Sequence, residues 1–217
     1  MILCWSAKGG SGTTVVAAAL ALLIARTRPC VLADLAGDLP AALGLPEPAG
    51  PGLHDWLASP TADVAALCRL AQPVTDGIEL LPCRALSTRA VSTAQPGPPN
   101  WAALAEALTA LDAEVVIDAG AGPPPPSLLA AADRTLLVTR PCYIALRRAV
   151  ADGITPTAVV VVCEPGRSLG VRDIEQAVGA PVVAEVPFDP AIARAVDAGL
   201  LAARVPRTLL HSLRGAA

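Results

Sequence analysis

Residues 2–20, ILCWSAKGGSGTTVVAAAL, constrain the fold more than any other stretch of the chain. A short apolar run, Ile2 to Trp5, leads into Ala7-Lys8-Gly9-Gly10-Ser11-Gly12-Thr13-Thr14, and an Ala/Val/Leu-rich stretch follows. That order predicts a strand, a glycine loop and a helix. Glycine opens backbone conformations closed to other residues and lets a ligand approach the main chain. The helix N-terminus adds unpaired N–H groups and the positive end of a dipole. Such a loop is suited to holding phosphate; the plainer alternative is a tight strand-to-helix turn without a ligand.

The pattern departs from the usual P-loop, which places Lys and then Ser/Thr after the last glycine. There the ammonium reaches the β- and γ-phosphates and the hydroxyl binds Mg²⁺. Here Thr13 holds the lysine position, Thr14 keeps the hydroxyl, and a different lysine, Lys8, precedes the glycines.

The surrounding chain of 217 residues predicts one domain spanning 1–217. It is 53% hydrophobic but only 2% aromatic, so its core must be built from Ala, Val, Leu and Ile, which suits helices packed closely on a parallel sheet. A net charge of −3 gives no global attraction to nucleic acid or acidic lipid, so DNA or membrane contact would need a local basic patch. Six cysteines, Cys4, Cys30, Cys68, Cys83, Cys142 and Cys163, lie far apart with no metal-ligand spacing and read as small hydrophobes. No basic segment precedes an apolar one at the N-terminus, and the long apolar stretches are interrupted before about 18 residues. These features predict a soluble, cytoplasmic protein.

Along the chain, Val15 to Ala25 predicts a helix that is apolar nearly all round and so buried on more than one side. Cys30-Val31-Leu32-Ala33-Asp34 reads as a buried strand delivering Asp34 at its C-terminal end, where ligands of open parallel sheets sit. Short helices are expected near Ala41–Leu43, from Gly52 to Leu57 and, with a Ser/Thr cap, over Thr61–Leu70; Ile78–Pro82 reads as a strand. Cys83–Asn100 is proline-rich loop with a short helix near Ser87–Val91. His54 has no partner motif and reads as solvated or capping rather than catalytic. Trp101–Leu111 is helical behind Asn100 as N-cap. Glu114-Val115-Val116-Ile117-Asp118 is an apolar strand ending in an acid, the form of a Walker B element whose carboxylate holds the Mg²⁺ shell.

Strands at Thr135–Thr139, Thr157–Cys163 and Pro181–Glu185 then alternate with helices at Tyr143–Ala151, Val171–Val178 and Pro190–Leu201, before a short one at Thr208–Arg214. This alternation predicts an α/β fold: a doubly wound, mostly parallel sheet with helices on both faces.

These segments carry a family resemblance. Lys8-Gly9-Gly10-Ser11-Gly12-Thr13-Thr14 resembles the deviant Walker A loop, KGGxGK[ST], of the ParA/MinD family of P-loop ATPases. Asp34-Leu35-Ala36 resembles its Walker A′ segment, D-x-D, and Val116-Ile117-Asp118-Ala119-Gly120 its Walker B. Leu137–Pro141 resembles the family's V-T-x-P turn, while Glu185–Asp189 and Ala195–Gly199 resemble its C-terminal I-P-x-D…A…G segment. The resemblance implies ATP and Mg²⁺ as cofactors and a homodimer that sandwiches two nucleotides, with an unidentified protein partner. It gives Lys8 a role across the dimer at the partner's phosphates and makes Gly9, Gly10, Ser11, Gly12, Thr13 and Thr14 the phosphate wrap. Thr14 and Asp118 become the Mg²⁺ residues, and Asp34 the first catalytic acid.

Three departures lower the expected activity. Thr13 replaces the in-cis lysine, and Ala36 replaces the second acid, for which Asp38 substitutes only if the turn is rebuilt. Val162-Cys163-Glu164-Pro165 lacks the family's base-reading Asn. The resemblance thus implies a dimeric positioning regulator for septum, chromosome or pilus machinery with weak ATPase activity. Its alternative is a non-hydrolysing scaffold similar to the CpaE/TadZ-like branch. Arg147-Arg148 reads as a solvated face or a DNA patch. The tail Arg207–Arg214 faintly resembles a membrane-targeting helix, which would add recruitment to membrane or pole.

Overall fold

A computed structural model describes residues 1–83 and 99–217, so the expected helix near 87–91 lies outside the described residues. The chain runs β1 (Ile2–Ser6), α1 (Thr13–Ile24), β2 (Cys30–Asp34), α2 (Leu39–Leu43), α3 (Leu53–Ala58), α4 (Val64–Cys68), β3 (Gln72–Thr75) and β4 (Ile78–Leu81). After the gap come α5 (Trp101–Thr109), β5 (Glu114–Ala121), α6 (Pro126–Ala131), β6 (Arg134–Thr139), α7 (Tyr143–Asp152), β7 (Ala158–Cys163), α8 (Val171–Val178) and β8 (Val182–Pro187). Helices α9 (Pro190–Asp197) and α10 (Arg207–Ser212) close it, with a 3₁₀ turn at Leu213–Gly215.

The strands form one sheet in the order β3-β4-β2-β5-β1-β6-β7-β8. All neighbours are parallel except β3, which runs antiparallel to β4. Alternate residues of each strand enter opposite cores, as the two-residue strand period requires. Ile2, Cys4, Leu32, Val116 and Val138 pack with α1 and α10 on one face. Leu3, Trp5, Val31, Ile117 and Leu137 pack with α3, α5 and α7 on the other. The doubly wound, mostly parallel architecture is therefore the observed one. Helix α1 is central to it, with Val16 to Leu22 and Ile24 buried, which explains a segment that is apolar on every side.

Several local expectations change. Strand β3 is absent from the sequence reading, because Pro73 and an alternating, half-exposed pattern disguise it; antiparallel pairing with β4 through the Asp76-Gly77 turn forms it. Helix α6 starts at Pro126 within the proline run, where a missing N–H costs nothing in the first turn. The cap of α4 is Asp63, whose carboxylate accepts from the Ala66 N–H at 2.7 Å, rather than a Ser or Thr. Asn100 caps α5 as expected, accepting from the Ala103 N–H at 3.1 Å.

Candidate functional site

The site assembles where β1, β5 and β2 end. In the ladders Cys4 pairs with Asp118 and Asp118 with Asp34, so the glycine loop and both acids emerge side by side. Gly10 and Gly12 take positive φ values of 76° and 97°, a region that penalises side chains, and Gly12 opens α1. The Ser11 hydroxyl donates to the Lys8 carbonyl at 2.7 Å and stiffens the loop. The buried Ser6 hydroxyl lies 3.2 Å from that carbonyl and 3.3 Å from the Gly120 carbonyl, bridging the loop to the end of β5.

The loop borders a cleft of about 450 Å³. Gly9 to Val15 line one wall; Leu35, Ala36, Asp38 and Ala119 to Ala121 line the other. Thr13 and Thr14 both face this space. Ala36 and Asp38 are exposed on the opposite wall, and Asp38 is among the residues that line the cleft. Among the described residues the lining contains no Lys, Arg or His. Lys8 stands outside it, half-buried, and its charge reaches Cys142 at the start of α7. There the N–H groups of Ala145 and Ile144, followed by Arg167 and Lys8, hold the thiol below its ordinary pKa.

The two acids are fully buried. Asp34 accepts from the N–H groups of Ala36 at 3.0 Å, Gly37 at 2.7 Å and Leu39 at 3.3 Å, so its carboxylate is wrapped by the turn that carries Asp38. Burial nevertheless pushes its pKa up to about 6; these N–H groups oppose the shift and the Asp118 charge adds to it. Asp118 accepts from the Gly120 N–H at 3.0 Å through Oδ1, while Oδ2 is buried with no hydrogen-bond partner. Burial raises its pKa as well, and the Thr14 hydroxyl is near enough to pull it partly back, without making a well-formed hydrogen bond to Oδ2.

An orphaned carboxylate oxygen costs free energy unless a cation or donor reaches it. With Thr14 beside it and a phosphate-sized loop above, the donor set fits Mg²⁺ held with a nucleotide. Thr14 and Asp118 would hold the ion and residues 9–14 the phosphates.

A second cluster, which the sequence reading missed, stands on the far side of the loop. A Cβ placed on Gly12 would meet Val162 of β7 at 3.5 Å, so the end of β7 packs against the loop. Two residues on, Glu164 is held by Arg140 at 2.6 Å and by the Arg167 Nε at 2.6 Å, and these guanidiniums, Arg167 first, lower its pKa. Only the topology, which puts β6 beside β7, reveals this trio. His54 is exposed as expected, with its ring 3.6 Å from the Cys83 sulfur.

A glycine loop opening a helix after a central strand, beside a strand that carries a buried aspartate near its C-terminal end, defines the class: a P-loop nucleotide-binding fold. Within that class the chain has the ParA/MinD fold, and the structural likeness extends over nearly its whole length. The cell division ATPase MinD of Pyrococcus furiosus is 26% identical at a TM-score of 0.73, covering 100% of this chain and 98% of its own. The septum site-determining protein MinD of Pyrococcus horikoshii OT3, complexed with Mg-ADP, is 19% identical at 0.76, covering 99% and 93%. The ParA family ATPase of Chlorobium tepidum TLS is 19% identical at 0.75, covering 98% and 95%. No protein-family model and no curated protein matches the chain.

Proposed function

We propose that the chain is a single P-loop domain that binds ATP with Mg²⁺ and acts as a dimeric positioning or partitioning regulator with weak ATPase activity. The observation that carries this is the orphaned Asp118 Oδ2 beside Thr14 at the foot of the glycine loop. Residues 9–14 wrap the phosphates through main-chain N–H groups, a contribution that survives loss of the lysine. Bound Mg²⁺ would neutralise charge on the phosphoryl oxygens. Asp34 fixes the turn, and Asp38 presents a carboxylate to the cleft for a water molecule. The MinD of P. horikoshii, solved with Mg-ADP, supports the cofactor reading.

The absence of any cation from the cleft lining among the described residues supports weak chemistry within one protomer. Removing a positioned cation from a transferring phosphoryl group costs about a hundredfold or more in rate. Lys8, outside the lining, is the residue that a second copy would have to supply. Tyr143 and Ile144 after β6 and Phe188 after β8 are exposed apolar side chains, which supports contact with a partner. The lack of a lining cation also favours the second reading, a non-hydrolysing scaffold of CpaE/TadZ type. A membrane-inserting tail has less support: Leu209 and Leu213 are buried in the core, and no helix among the described residues is long and apolar enough to cross a membrane.

Calorimetry with ATP, with and without Mg²⁺, beside a turnover assay on the native chain, Thr13→Lys and Lys8→Ala, tests both readings. The expected outcome is Mg²⁺-dependent binding, slow native turnover and a gain of about a hundredfold in Thr13→Lys. Native turnover equal to that of Thr13→Lys and abolished by Lys8→Ala would remove the scaffold reading. Undetectable binding together with a strictly monomeric chain would remove the regulator.

A further inference from the structure

The face remote from the glycine loop carries a second feature that nucleotide binding does not use. Helix α10 and its 3₁₀ continuation pack Leu209, Leu213 and Ala216, all fully buried, onto α1 and β8. At i, i+4 and i+7 on the opposite stripe stand Arg207, His211 and Arg214. They border a cleft of about 560 Å³, together with Arg26 from the turn after α1, Thr208, and a floor of Leu23 and Leu210.

Three guanidiniums and an imidazole are thus gathered in one concavity of a chain whose net charge is −3. Among the described residues none of the three guanidiniums forms an ion pair. The Asp189 carboxylate accepts from the Thr208 hydroxyl at 3.2 Å and also caps α9. Cations crowded together with no ion-pair partner of their own repel one another, and a bound anion relieves that. The packed leucines hold the basic stripe in place, so the site needs little reordering on binding.

We propose that this cleft is an anion site for a multivalent phosphate group. Planar guanidinium forks match phosphate oxygens bidentately, and several forks around one concavity favour an anion of charge −2 or more. The volume suits a small phosphorylated molecule or a single lipid headgroup.

The chain has two histidines, His211 in the cleft and His54 on α3, where it serves as an internal control. Titrating inorganic pyrophosphate into the full chain at constant pH should shift the His211 ring resonances saturably and leave those of His54 still. Binding at the glycine loop would not move His211. Arg207→Gln and Arg214→Gln should each weaken the pyrophosphate response about tenfold, the loss of one charge-assisted contact. Sedimentation with phosphatidylcholine vesicles containing phosphatidic acid, whose headgroup is a phosphomonoester, against phosphatidylcholine alone, separates the sources. Pyrophosphate binding without sedimentation marks a free phosphate; sedimentation sensitive to the same substitutions marks a headgroup. The proposal is overturned if His211 ignores pyrophosphate and the chain stays off the anionic vesicles. It is equally overturned if the Arg207→Gln/Arg214→Gln double variant binds as well as the native chain.

Discussion

Strands β2 and β5 lie side by side, β2 ends at Asp34 and β5 carries Asp118 three residues before its end at Ala121, and the two acids are partners across the ladder, both without solvent exposure. In sequence they look alike, apolar strands with a terminal acid. In the structure they part. Asp34 is followed by Leu-Ala-Gly-Asp-Leu, and Gly37 at φ 94° lets that turn fold three N–H groups onto the carboxylate. Asp118 is followed by Ala-Gly-Ala-Gly and four prolines, so only the Gly120 N–H turns back, and one oxygen is left bare. The strand delivers an acid, and the following loop decides whether it becomes scaffold or ligand.

The contrast breaks most visibly at Asp34. Replacing it with Ala leaves three N–H groups without their acceptor, that of Leu39 buried and those of Ala36 and Gly37 partly so. Charge-assisted bonds to a buried acceptor are worth roughly 1.5–3 kcal/mol each, offset here by relief of a desolvated charge. Asp34→Ala should therefore lower stability by about 3 kcal/mol, read as a fall in the urea midpoint at unchanged slope. Asp118→Asn should do the reverse without nucleotide, leaving stability unchanged or raised, because it removes a poorly compensated buried charge beside another. Its cost falls on binding: calorimetry should show Mg²⁺-dependent ATP affinity reduced about 10- to 100-fold. If Asp118→Asn destabilises the chain as much as Asp34→Ala, the two acids are both structural and the distinction fails.

Acid titration sharpens the same contrast. Folded Asp34 binds its proton more tightly than the unfolded chain, whose carboxylate titrates near about 4. Between about pH 4 and 6 the folded state therefore carries the extra proton. Stability falls as the pH rises through that window, by about 3 kcal/mol. Because the Asp118 charge contributes to the raised pKa of Asp34, Asp118→Asn should flatten the slope. Denaturant midpoints taken across the window decide it; a slope unaltered by Asp118→Asn would mean that the acids do not sense each other.

Much of this was legible in the sequence, because local chemistry wrote it there. The order Ile2–Trp5, glycine loop, Val15–Ala25 requires strand, phosphate loop and helix whatever surrounds it, and the β-branched run Val115–Ile117 fixes β5. Asp38 was a candidate only by its nearness to Ala36; the wrapped Asp34 turn is what brings it to the cleft. What stayed hidden depends on partners distant in the chain. Strand β3 exists through its pairing with β4, and Glu164 meets Arg140 only because β6 and β7 are neighbours in the sheet. The bare Oδ2 of Asp118 is equally non-local, since no residue pattern states which hydrogen bonds are not made.

The smallest effect probes how the loops after the two acids communicate. Gly120, at φ 70°, follows Asp118, and a Cβ built on it would lie 3.0 Å from the Cβ of Ala36, two residues beyond Asp34. Gly120→Ala therefore meets both a backbone region disfavoured for side chains and a crowded neighbour. Together these should cost about 1–2 kcal/mol. Ala36→Gly removes the crowding but not the backbone strain, so in the double variant several tenths of a kcal/mol should return, leaving about 1 kcal/mol. A double-mutant cycle of thermal midpoints reads the coupling directly. Strict additivity would mean that the two loops adjust separately, and that the wall of the cleft carrying Ala36 and Asp38 is held by the Asp34 turn alone, without bracing from the end of β5.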